Sequence, residues 1–218
     1  MAGRATPSDK VGASGIDRAS RMLETLLAMD SIPRPPDSAN ALIDATERAV
    51  ARYGFARTSM SDLAREAGVA RTTLYRQVDS VDQALALCGA RVLYEFLDET
   101  GQALLSGEDW QQLLIDTIAR VIDVIREHPL VRRMLEHEPE IIGGILTTGL
   151  GEQLLARLTD IGVPIVTAAM ATQQMRAADP HMTSELLVRT ILGLVVIPSN
   201  WDVKVMLEFA LGPILPPS

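Results

Sequence analysis

Several kinds of residue are scarce in this chain. Of 218 residues one is a cysteine, Cys88, and only 4% are aromatic. A lone cysteine excludes an intrachain disulfide framework and fits a reducing compartment, so a cytoplasmic location is expected. Cys88 itself is expected to be a small buried hydrophobe. With so few aromatics, the 47% hydrophobic content must build its core from Leu, Ile, Val, Ala and Met. No apolar run reaches the ~18 residues of a membrane span, so no membrane segment is expected. The polar N-terminus lacks the apolar stretch of a secretory signal. Strand-like alternation is scarce and helical periodicity recurs, which predicts an all-α protein. His128, His137 and His181 are too scattered for a local metal site, and Glu136-His137-Glu138 with Glu140 reads as an exposed acidic turn. Gly143, Gly144, Gly149 and Gly151 are followed by no Lys-Ser/Thr and preceded by no strand, so a phosphate loop is excluded. No nucleophile elbow is present. Neither an enzyme, a metal nor a cofactor is expected.

Positive charge is also in short supply, with a net charge of −8. Its distribution matters more than its sum. Residues 1–37 carry five basic and five acidic groups, and residues 38–82 carry six of each. The remainder, 9 − 17 = −8, lies beyond residue 82. An acidic body behind a neutral head can orient the head toward a polyanion, and it also serves solubility.

What is present is concentrated in residues 59–78, SMSDLAREAGVARTTLYRQV. Met60, Leu63, Ala64 and Ala67 fall at the spacing of one helical face. Gly68 can take the left-handed backbone that stops a helix. A second helix is predicted from about Ala70 to Val78. Stepping about 100° per residue from an inward Leu74 puts Val78 and Ala70 inward, and Thr72 and Arg76 outward. Thr73 and Tyr75 flank the outward face. Two helices around a short glycine turn make a helix-turn-helix, whose second helix enters the major groove of DNA. Hydroxyls, a phenol and a guanidinium on its outer face can bond phosphates or base edges.

The upstream residues agree. Ala41, Leu42, Ala45, Ala49 and Tyr53 form one helical face ending at Tyr53-Gly54-Phe55. Ala56-Arg57-Thr58 then turns the chain into Ser59, an N-cap with Asp62 three residues on. Residues Ala41 to Leu85, ALIDATERAVARYGFARTSMSDLAREAGVARTTLYRQVDSVDQAL, resemble the DNA-binding domain of the TetR (tetracycline-repressor) family of transcriptional regulators. The resemblance implies DNA contacts from Arg57, Thr58, Ser59, Arg71, Thr72, Thr73, Tyr75 and Arg76. It also implies a homodimer built on the last two helices. Three positions depart from the family pattern. Ala70 replaces the usual capping Ser or Thr, Gln77-Val78 replaces an aromatic pair, and Val81 replaces a frequent Lys.

Three regions follow. Residues 1–37 form an extension, with residues 1–15 expected to be disordered, a helix over 16–30 and a proline-rich linker over 31–37. Residues 38–82 form the DNA-binding domain, with its helix-turn-helix at 59–78. Residues 83–218 form a helical body for ligand binding and dimerisation. In this body helices are predicted over 81–105, 109–127, 130–136, 140–160, 165–177, 183–197 and 202–211. The faces Leu186, Leu187, Thr190, Ile191, Leu194, Val195 and Val203, Val205, Met206, Phe209, Ala210 are the expected dimer contacts, through 183–197 and 202–211. The functional expectation is a ligand-responsive repressor that binds a palindromic double-stranded operator as a homodimer. A small apolar effector would sit among the segments 109–127, 140–160 and 165–177, with Met134, Met170 and Met175 as candidate lining. Its binding would shift the helix at 81–105. An alternative is a DNA-binding co-regulator whose body holds a protein partner; a metabolite thermal-shift screen separates the two.

Overall fold

The computed structural model describes residues 7–27, 34–105 and 110–215. Among the described residues the fold is all-α. Eleven helices follow one another: α1 Pro7–Leu27, α2 Asn40–Tyr53, α3 Met60–Ala67, α4 Arg71–Leu74, α5 Val81–Leu105, α6 Trp110–Glu127, α7 Pro129–His137, α8 Pro139–Thr147, α9 Gly149–Ala171, α10 Pro180–Val196 and α11 Val203–Leu211. A 3₁₀ turn, Asp37–Ala39, precedes α2.

Contacts divide the chain into two compact units, which differ from the three regions expected. One comprises Met1–Tyr94 and His128–Glu152; the other comprises Glu95–Glu127 and Gln153–Ser218. The short helices α7 and α8 therefore belong with the N-terminal helices, because α7 packs on α2 and α8 packs on α1.

In the first unit, Leu42, Ile43, Ala45, Ala49 and Val50 of α2, Leu63 of α3, Leu74 of α4 and Ala84 and Leu85 of α5 form a closed apolar centre. Cys88 is sealed within it, its thiol donating toward the Ala84 carbonyl at 3.3 Å. Burial pushes that thiol far above its ordinary range, as expected for a structural cysteine. A polar cluster ties three elements together beside this centre. Arg91 of α5 pairs with Asp44 at 2.7 Å and with Glu47, both on α2. His128, the N-cap of α7, reaches Glu47 at 3.1 Å.

The N-terminal extension differs most from expectation. Residues 7–15 are helical, so α1 starts well before residue 16; residues 1–6 and 28–30 lie outside the described residues. Composition rich in Gly, Ala and Ser pointed to disorder, but small residues are what this seat requires. A Cβ on Gly15 would lie 2.7 Å from Ile141 of α8, and one on Gly144 of α8 would lie 2.7 Å from Ile16. The two helices meet through these gaps, and Ala19, Met22 and Leu23 are buried.

Helices α8 and α9 are separate where one helix over 140–160 was expected. The chain turns at Thr148, whose hydroxyl donates to the Ile145 carbonyl at 3.2 Å while its own carbonyl accepts the Gly151 N–H at 2.9 Å. Gly151 packs so near the Ile145 and Leu146 carbonyls that a Cβ would meet them at about 3 Å. The break expected at Gly162-Val163-Pro164 does not occur, and α9 passes through Pro164. Gly162 serves packing instead: a Cβ there would sit 2.4 Å from Ser184 Oγ. Helix α9 ends at Ala171, short of the expected 177. By length and composition α9 could cross a membrane, contrary to the expectation that no segment would qualify. Only Thr159, Val166 and Ala169 of it are buried, and these lie in the second unit.

In the second unit α6 buries Trp110, Ile115, Ile118, Val121 and Ile122 and packs on α10 and α11. Asp179 caps α10 through the Met182 N–H, and Asp202 caps α11 through Lys204 and Val205. Each adds about 1 kcal/mol by satisfying amides that a helix start leaves open.

The Glu47 cluster has a pH consequence. Burial pushes the Glu47 carboxyl up, but the hydrogen bond and charge of His128, with Arg91 alongside, outweigh it and leave the group below its ordinary value. A depressed carboxylate stabilises the fold above its unfolded pKa, and that contribution is lost as pH falls through the folded value. Glu47→Gln should therefore lower the melting temperature most near about pH 7, with the gap to wild type narrowing as pH falls below the ordinary value of 4.5, as read in thermal melts at several pH values.

Candidate nucleic-acid interface

The helix-turn-helix is built from local signals. Helix α2 ends at Gly54, which adopts φ +89°. Helix α3 opens with a reciprocal cap: the Ser59 side chain accepts the Asp62 N–H, and the Asp62 carboxylate accepts the Ser59 N–H at 3.0 Å. The hydrogen bond from the Ser59 hydroxyl, helped by its N–H and by Arg65, holds the Asp62 carboxyl below its ordinary value. Gly68 ends α3 at φ +67°, with its N–H on the Ala64 and Arg65 carbonyls. This left-handed residue turns the chain so that α4 packs across α3. Helix α5 begins with a similar exchange, as Ser80 Oγ accepts the Gln83 N–H and Gln83 Oε1 accepts the Asp79 N–H.

Helix α4 is shorter than predicted. Regular helix covers Arg71–Leu74 only, and tight turns carry the chain on to Val78, with Gln77 N–H on the Leu74 carbonyl at 2.9 Å. Ala70 supplies no side-chain cap, and the paired β-branched Thr72-Thr73 propagate a helix weakly. Ala70 is exposed, contrary to its expected inward place, because its extended backbone (ψ 148°) stands outside the helix. Leu74 and Val78 do point inward, at 0% and 2% exposure. Arg71, Thr72, Thr73, Tyr75 and Arg76 are all exposed, with Tyr75 at 50%. Arg57 and Ser59 are exposed beside them in sequence. Thr58 needs correction as a candidate contact. It is buried, and its hydroxyl donates to the Gly54 carbonyl at 2.6 Å, so it holds the turn and offers nothing to a ligand.

Ion pairing resolves the puzzle of a head with no net charge. Asp62 pairs with Arg65, and Glu66 pairs with Arg52 at 3.3 Å and Arg48 at 3.9 Å. Asp44 and Glu47 are taken by Arg91, and Asp82 by Arg18 and Arg21 of α1. Arg52 and Arg65 also lie over the Tyr53 ring. Among the described residues Arg57, Arg71 and Arg76 make no ion pair. The head's acidic groups, Asp79 excepted, are thus taken by other arginines, and the guanidiniums of Arg57, Arg71 and Arg76 remain exposed and unpaired. Arginines so placed suit a phosphate backbone.

The methionines singled out for an effector are not gathered in one unit. Met134 is buried in the first; Met175 is buried and Met170 half-buried in the second. Among the described residues no three His, Cys, Asp or Glu side chains are grouped as a metal site.

Residues 42–80 match the family model described as bacterial regulatory proteins, tetR family. No curated protein sequence matches the chain. Solved structures do. SmeT in complex with triclosan is 20% identical, with a TM-score of 0.60 over 83% of this chain and 93% of that one. SmeT is the repressor of the Stenotrophomonas maltophilia multidrug efflux pump SmeDEF. The TetR family repressor AlkX from Dietzia, implicated in biodegradation of n-alkanes, is 20% identical, with a TM-score of 0.56 over 83% of this chain and 96% of that one. The fatty acid degradation regulator FadR from Bacillus halodurans is 15% identical, with a TM-score of 0.55 over 82% and 94%. At these identities the likeness is one of fold.

The turn geometry makes a paired prediction. A Cβ on Gly68 would meet nothing within 4 Å, so Gly68→Ala suffers only from its positive φ and should cost about 1 kcal/mol. Gly143 in α8 is equally open with an ordinary φ, so Gly143→Ala should raise stability by about 0.5 kcal/mol. Urea denaturation of the two variants checks the opposite signs.

Proposed function

Starting from a TetR-family DNA-binding domain at residues 42–80 in a chain with the fold of TetR repressors, we propose that this DNA-binding transcriptional regulator is a ligand-responsive repressor acting as a homodimer on a palindromic operator. The observation that carries the DNA contact is the outward face of α4, where Arg71, Thr72, Thr73, Tyr75 and Arg76 stand exposed over a buried Leu74. Arg76 and Tyr75 read base edges, while Arg57 and Arg71 hold phosphates; Ser59 has its hydroxyl and its N–H both committed to Asp62 and serves as the cap.

Dimerisation is supported by the surfaces of α10 and α11. Val205, Met206 and Phe209 are exposed, Phe209 at 89%, together with Met182, Leu186, Ile197 and Trp201. So much apolar surface on two successive helices and the link between them asks for a covering partner. A symmetric second copy supplies it and sets two α4 helices about 34 Å apart, one turn of DNA.

Effector control is supported by the fold, by the triclosan complex of SmeT and by an aliphatic, methionine-bearing composition that suits a small apolar molecule. Such a molecule releases DNA only if it prefers the conformation that binds DNA poorly.

The test uses the duplex that the wild-type chain enriches from a random-sequence pool. Arg76→Ala and Tyr75→Ala should each weaken binding to it at least tenfold by fluorescence anisotropy, with melting temperatures unchanged. Normal affinity in both would remove the assigned face. Phe209→Glu should sediment as a monomer at concentrations where wild type is dimeric, and should lose affinity for the two-half-site duplex. A dimeric Phe209→Glu would remove the assigned interface.

A further inference from the structure

The turn between α2 and α3 cannot satisfy its own backbone. Thr58 N–H bonds the Gly54 carbonyl at 3.1 Å, and Gly54 N–H closes α2 on Val50. Phe55 and Ala56 are buried, yet within the three-helix head the N–H and C=O groups of both lack partners. Buried peptide groups left that way would be costly, so something must reach them.

Two side chains from outside the head do so, from opposite polar edges. Arg18 of α1 uses one nitrogen, Nη1, to donate to the carbonyls of Phe55 at 2.7 Å, Ala56 at 2.9 Å and Thr58 at 2.9 Å. Asp82, at the start of α5, lies 3.3 Å from Arg18 Nε and is also bound by Arg21 at 2.6 Å, which orients the guanidinium. Glu138, the residue shared by the end of α7 and the start of α8, is buried. Its carboxylate accepts the Phe55 N–H at 2.7 Å and the Ala56 N–H at 3.4 Å, with Arg133 3.7 Å away. Gly54 gives it room, since a Cβ there would lie 3.2 Å from Glu138 Oε1. The gripped turn runs directly into Ser59, the cap that starts α3, and α3 carries α4.

We propose that Arg18 and Glu138 are positioning residues of the DNA-reading head. They grip the α2–α3 turn from its carbonyl and amide edges, and so fix the attitude of α3 and α4. The N-terminal helix is then a working part of the reader, and the α7–α8 corner has a direct hold on it. This rests on the assignment of α4 as the DNA-contacting helix. A head released from this grip keeps its open arginines, so it still binds DNA of any sequence. What it loses is the fixed geometry that distinguishes one sequence from another.

The experiment uses the full chain with the duplex enriched by wild type and a scrambled duplex of equal length, at a temperature well below melting. Arg18→Gln and Glu138→Gln should each bind the enriched duplex at least tenfold more weakly and the scrambled duplex within twofold of wild type. Arg18→Lys should restore most of the discrimination, because a single point donor carries all three bonds. Folded Gln variants that bind the enriched duplex within twofold of wild type would overturn the proposal. Equal loss on both duplexes would overturn it too. A measurement on wild type covers variants that fail to fold. By linkage, binding the enriched duplex should slow amide exchange in residues 14–27 and 128–142 as well as in 59–78. Protection confined to 59–78 would overturn the grip and leave DNA binding standing. Failure of wild type to enrich any duplex would overturn both.

Discussion

A helix of one regular turn cannot hold itself in water. Nucleating it fixes several dihedral angles for a single hydrogen bond, so its shape must come from its surroundings. Helix α4, Arg71–Leu74, is such a helix, and the function assigned to this chain depends on it. Leu74 sinks to zero exposure and Val78 follows it; together they fix which side faces out. Gly68 aims the chain by adopting a backbone that other residues enter at a cost. Every polar side chain of α4 is then turned to solvent by the burial of an apolar one. Truncating a leucine of this kind costs about 2–5 kcal/mol, more than any cap in the domain supplies.

Electrostatics follows the same division of labour. The head has as many acidic as basic residues, yet all its acids but Asp79 are consumed by structural pairs with Arg48, Arg52, Arg65, Arg91 and the two arginines of α1. The pairs whose arginines are exposed, those of Arg48, Arg52 and Arg65, add little stability. Their larger effect is on which charges stay unpaired, for Arg57, Arg71 and Arg76 are left exposed to act on a partner. Counting charges along the chain missed this, because two of the neutralising residues, Arg18 and Arg21, lie in a segment set apart as an extension.

The legible parts of the fold were those with local causes. Gly54, Ser59 and Gly68 mark helix ends by backbone conformation or by a bond three residues away, and each stands where the pattern put it. The outward set on α4 followed from one buried leucine. What the sequence hid was settled by distant partners. Residues 7–15 are helical against α8 because two glycines, 15 and 144, open a seat that no local pattern announces. Thr58 resembles any exposed hydroxyl in a basic turn until the Gly54 carbonyl claims it. Glu138 sits in an acidic run that reads as solvated surface, yet it is buried on the amides of Phe55 and Ala56, more than eighty residues away in the chain. The Pro164 region was misjudged for the opposite reason: the helix continues through a local breaker, beside Gly162 packed close to Ser184.

The central claim is that α4 lies in the major groove. Methylation of guanine N7 tests it most directly, since that atom faces the major groove alone. The enriched duplex, sparsely methylated at N7 and partitioned into bound and free fractions, should show interference in two patches whose centres lie about one helical turn apart. Binding indifferent to N7 methylation throughout the site would contradict the account.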